Sequence, residues 1–99
     1  MSYYILQDEE AVEVDYGSFI AWLKNHDTRV DRTYFKDEDI LVSTVFLGID
    51  HGWDDETPPH IFETMIFGGE HDEYQARYST LAEARAGHLQ ACRMVKPCD

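Results

Sequence analysis

VSTVFLGIDHGW (residues 42–53) and HIFETMIFGG (residues 60–69) decide the fold of this chain. Two apolar runs flank one polar connection, the pattern of a pair of buried strands joined at an exposed tip. Ile40 to Ile49 is nearly continuous apolar sequence, as expected of a central strand covered on both faces or close to it. Ile61 to Phe67 is its expected antiparallel partner, with Glu63 and Thr64 as polar interruptions. The tip between them gathers Asp50, His51, Trp53, Asp54, Asp55, Glu56 and His60 within eleven positions. It is the first candidate for a site.

Working outward, Tyr3 to Gln7 has strand composition and runs into the acidic patch Asp8, Glu9 and Glu10. Asp15 has the position of a helix N-cap, whose carboxylate accepts from the free amides of the first turn. The helix behind it is expected to reach about Asn25, with Phe19, Ile20, Trp22 and Leu23 on its apolar face. Thr28 to Phe35 alternates as an outer strand, and Lys36-Asp37-Glu38-Asp39 forms a turn into the central strand. Gly68-Gly69 turns the chain toward a short strand at Glu73 to Tyr78. Thr80 and Glu83 have capping-box spacing, so a last helix starts there, with Leu81, Ala84, His88, Cys92 and Val95 near one face. Pro97 stops it. The order β-α-β-β-β-α predicts an α+β domain, an antiparallel sheet of about four to five strands with two helices packed against it.

The 99 residues fit a single domain, 1–99, with one small core. Charge excludes several function classes. Twenty carboxylates face eight Lys and Arg, a net charge of −12, and residues 1–56 carry most of the imbalance. Such a field repels phosphate surfaces, so direct binding to nucleic acid or to an anionic membrane is not expected. A cationic protein partner is. MSYYILQDEE has no basic residue before its apolar run, so no signal peptide is expected. Cys92 and Cys98 do not make a secreted disulfide framework, which points to a reducing cytoplasm.

VSTVFLGIDHGW, HIFETMIFGG and RYSTLAEARAGH, in this order and spacing, resemble a family of small uncharacterised proteins encoded by tailed bacteriophages and prophages. The likeness covers roughly residues 40 to 90. It implies expression in a bacterial host cytoplasm and carries over no activity, cofactor or catalytic residue.

The hairpin tip admits several chemistries. His51, Asp54, Asp55, Glu56 and His60 offer nitrogen and oxygen ligands, but their spacing matches no H-E-x-x-H, C-x-x-C or calcium-loop template, so no metal or other cofactor is expected. His51 beside Asp50 has the makings of an acid–base pair. Glu63 is either a buried acid or the partner of Arg77 on the next strand, and the cross-strand pair is preferred. His88 reads as a core histidine with its ring bonded to backbone, and Cys92 as packing. No nucleophile elbow or phosphate loop is present in the sequence. The balance is therefore against an enzyme. Trp53 among charges is the kind of aromatic that anchors a protein interface, and the many strand tyrosines suit an exposed sheet face or a homodimer. The leading expectation is an accessory protein that binds a host or phage protein through Asp50, His51, Trp53, Asp54, Asp55, Glu56 and His60, as an inhibitor or a decoy that imitates nucleic acid. A ligand- or metal-binding domain using the same loop, or a dimeric structural phage protein, is the alternative.

Overall fold

Alternation along one strand organises the molecule. The computed structural model describes residues 1–50 and 58–97. In β4 (Ile40–Phe46), Ile40, Val42, Thr44 and Phe46 are buried while Leu41, Ser43 and Val45 between them are only half-buried. The period of two means that one face of this strand is sealed and the other is not. The sealing element is α2 (Leu81–Val95), whose Ala84, His88 and Ala91 are buried against the sheet. The sequence expectation of a strand covered on both faces is met on one side only.

β4 lies inside a large antiparallel sheet of four strands, with β3 (Arg29–Phe35) on one side and β6 (Phe62–Phe67) then β7 (Gln75–Tyr78) on the other. Thr44 opposes Thr64, and Glu63 opposes Arg77. A second, small sheet of three strands has the order β2-β1-β5, built from β1 (Ser2–Gln7), β2 (Glu10–Val14) and β5 (Ile49–Asp50). The α+β class holds, and the sequence order is interrupted by two strands that periodicity did not separate. The first is β2: Glu10 to Val14 pairs with β1, where the sequence reading has only the acidic patch Asp8, Glu9 and Glu10. The second is β5, cut off from β4 where the sequence reads one continuous strand.

Gly48 makes that cut. It sits at φ +73°, and a Cβ there would lie 2.5 Å from Phe19 Cε1 and 2.9 Å from the Tyr4 carbonyl oxygen. The chain thereby leaves the large sheet after Phe46 and joins the small one, where the Tyr4 amide donates to the Gly48 carbonyl at 2.7 Å. The approach of Phe19 also docks α1 (Tyr16–Asn25), capped as expected by Asp15, which accepts from the Ser18 amide at 2.7 Å. Trp22 of α1 meets Phe46 edge-on with ring centroids 5.5 Å apart.

The core accordingly has two lobes. Ile40, Val42, Ile66 and Ala91 form one, under the C-terminal half of α2. Phe46, Ile61, Phe62 and Ala84 form the other, closed by Tyr4 and Leu6 of the small sheet and Trp22 of α1. Replacing Gly48 by alanine adds both left-handed strain and a clash with backbone, so G48A is expected to lower unfolding free energy by about 2–4 kcal/mol. Urea denaturation followed by circular dichroism measures it, and a loss below about 0.5 kcal/mol would contradict this account of the crossing.

Candidate functional site

The hairpin tip is only partly within the described residues. Asp50 ends β5 opposite Ser2 and is half-buried. His60 is exposed just ahead of β6. His51, Trp53, Asp54, Asp55 and Glu56 lie outside the described residues. Among the described residues, no group of three or more His, Cys, Asp or Glu side chains is arranged to hold a metal ion. Among the described residues, no helix is long and apolar enough to cross a membrane.

Titratable groups meet instead under α2. His88 is 1 % exposed, with Nδ1 2.7 Å from Thr44 Oγ1 and Nε2 2.9 Å from Thr33 Oγ1. Thr44 shares a short hydroxyl hydrogen bond with Thr64, and Asp31 Oδ2 stands 3.7 Å from Nε2. A neutral imidazole has one donor and one acceptor nitrogen, and hydroxyls serve either, so both ring nitrogens are satisfied in either tautomer. The ring is a core histidine as the sequence indicates, but threonine hydroxyls on the sheet hold it rather than backbone. Hydroxyl, imidazole and carboxylate in a row imitate a nucleophile relay. Thr44 and Thr64 are fully buried, however, so no substrate atom reaches either oxygen. Burial pushes the nearby Cys92 thiol up, against a weaker opposing hydrogen bond from Thr33, which keeps it an unreactive thiol. The cluster is a structural joint between helix and sheet.

Glu63 takes the cross-strand role. Its carboxylate accepts from Arg77 Nε at 2.9 Å and from Gln75 Nε2, on the face of the sheet away from α2. Both neighbours cover it, and it is 8 % exposed.

Two surfaces remain. The first is a cleft of about 790 Å³ between the β1–β2 hairpin, Pro58-Pro59 and the start of α2. Tyr4, Pro58, Pro59, Leu81 and Ala82 give it an apolar lining above the fully buried Phe62, and Asp8, Glu9, Glu10 and Arg85 line it as well. Asp8 and Glu9 make a tight turn with φ of 52° and 69°, which holds their side chains at the tip. Arg85 is engaged by Glu9 at 3.2 Å, leaving the rim in carboxylate excess. The capping box of α2 uses Glu83 to accept from the Ser79 and Thr80 amides, so this end of the helix also carries a negative charge. The sequence marks Asp8, Glu9 and Glu10 as acidic, but only folding brings Tyr4 and Phe62, far apart in the chain, beneath them.

The second surface is the open face of the large sheet. Register aligns Tyr34, Leu41 and Phe67 in one row, Arg32, Ser43, Met65 and Gln75 in the next, and Arg29, Val45, Glu63 and Arg77 in the third. Tyr34 is 59 % exposed and Phe67 45 %, and no described element packs over them.

Burial holds the pKa of His88 below its ordinary value, with Asp31 opposing weakly. The unfolded ring titrates near 6.5, so below that pH unfolding takes up a proton. The contribution is complete above about pH 6.5 and is lost as pH falls toward the folded value. H88Q is expected to cost about 1–3 kcal/mol at pH 7.5 and to flatten the stability slope below about pH 6.5. Parallel urea titrations of both proteins across that range check it, and equal slopes would mean the ring is not buried neutral.

Comparison of the chain with family models, with curated proteins and with solved structures gives no match, so function is argued from these surfaces alone.

Proposed function

We propose that the chain is a non-enzymatic accessory protein of a tailed phage or prophage, acting in the host cytoplasm by occupying a basic surface on a host or phage protein. The observation that carries this reading is the cleft with an apolar floor and an acidic rim. A segment bearing Lys or Arg next to an apolar residue meets both requirements: carboxylates at Asp8 and Glu10, and contact area on Tyr4, Pro58 and Leu81. The charge of −12 adds long-range attraction to such a partner and repulsion of nucleic acid itself. A partner surface that normally holds nucleic acid is the natural target, because spaced carboxylates offer it the charge it is built to accept. Asp50, His51, Trp53, Asp54, Asp55, Glu56 and His60 are proposed to extend the contact beyond the cleft.

The test is capture of partners from bacterial lysate at low and moderate salt, followed by titration of the purified pair. Binding is expected to weaken about tenfold or more from 50 to 300 mM salt, and by a similar factor in the D8K/E10K double variant. Affinity that ignores both salt and charge reversal would rule out the acidic docking mode.

A further inference from the structure

We infer that the free edge of β2 takes up an extended segment of the partner as a fourth strand of the small sheet, in a basic–apolar–apolar–basic pattern. This docking mode rests on the acidic attraction proposed above and gives it a backbone geometry. In the order β2-β1-β5, β2 is outermost, and Glu10, Ala11, Val12 and Glu13 are exposed. On β1, the Tyr4 amide is committed to the Gly48 carbonyl, on the side away from β2. Antiparallel bonding alternates along a strand. Glu13, opposite Tyr4, and Ala11, opposite Leu6, therefore turn their amide and carbonyl groups away from β1, where no described strand lies.

The other described edges are poorer templates. β3 has a register shift between Arg29 and Asp31, and β7 and β5 have four and two residues. β2 has five residues, no bulge in its pairing with β1 and no proline. Charge decides what it accepts. Glu10 and Glu13 on the strand follow Asp8 and Glu9 in the turn, and the cation lining the cleft, Arg85, is already bonded to Glu9. A second copy sets carboxylates against carboxylates, so the occupant is a basic chain.

Side-chain direction sets the pattern. Ala11 and Glu13 share the face of Leu6 and Tyr4, which close a core lobe, and Ala11 lines the cleft. An antiparallel segment places its first residue beside Glu13, the next beside Val12, the third beside Ala11 and the fourth beside Glu10. The first and fourth meet carboxylates. The third enters the cleft toward Tyr4, Pro58 and Leu81, and the second covers Val12, which is 37 % exposed. The first and third each exchange two backbone hydrogen bonds with β2.

The probe is the end-blocked peptide Ser-Lys-Val-Leu-Arg-Ser, titrated into the whole chain and followed by NMR. Methylating the Lys and Leu amide nitrogens is expected to weaken binding about tenfold or more, and methylating those of Val and Arg to change it less than about threefold. The two methylated peptides carry the same charge, so electrostatic attraction alone does not separate them. On binding, hydrogen exchange of the Ala11 and Glu13 amides is expected to slow several-fold. A11P removes an outward donor at an edge position that tolerates proline, and is expected to weaken binding about tenfold or more with circular dichroism unchanged. Affinity indifferent to which amides are methylated, yet lost at about 300 mM salt, overturns strand addition and leaves the acidic docking mode standing. A peptide that fails to bind at about 2 mM also overturns it, and the salt response of the captured partner then judges the docking mode separately.

Discussion

One-sided burial of β4 is the constraint on which the rest of the structure depends. A small chain with two helices has enough apolar mass to seal one face of its large sheet. Ile40, Val42, Thr44 and Phe46 take that face, and the two core lobes form at its two ends. The polar centre of the same strand follows from the same choice. Thr44 and Thr64 are opposed on the sealed side, so their hydroxyls need partners, and His88 on α2 supplies them. That network fixes the position of the helix along the strands more sharply than apolar contact does, since hydrogen bonds are directional and unpaired buried hydroxyls are costly.

The strand's far end has a second consequence. After Phe46 the chain leaves the large sheet, and Gly48, at φ +73° with no room for a Cβ beside Phe19, turns it into the small one. This crossing is what makes the N-terminal hairpin part of the molecule rather than an appendage. With β1 anchored by Gly48, the Asp8–Glu9 turn overhangs the start of α2, and the acidic cleft exists because three separate segments converge there. Its carboxylates contribute little to stability: the exposed Glu9–Arg85 pair is of the kind that adds almost nothing to folding. They are surface charge held in place by backbone, which suits attraction of a partner.

The two surfaces are chemically distinct. The cleft is apolar beneath an excess of carboxylates, whereas the open sheet face carries apolar side chains among groups of both signs, including the Arg29–Asp27 and Arg77–Glu63 pairs.

Much of this was legible in the residues. Asp15 and the Thr80–Glu83 box announce both helices because capping is local chemistry, decided within four positions. The hairpin of β4 and β6, the Glu63–Arg77 pair, the buried His88 and the packed Cys92 follow from period-two and helical spacing. β2 was hidden because Glu-Ala-Val-Glu-Val at 10–14 is short and begins inside the acidic patch, and only pairing with β1 shows it to be a strand. The break at Gly48 was hidden because an apolar run does not say which sheet each half joins. Which face of β4 would stay open, and which acidic residues would gather over Tyr4 and Phe62, depends on where α1 and α2 dock. Those are contacts between residues distant in the chain, and local sequence carries no term for them.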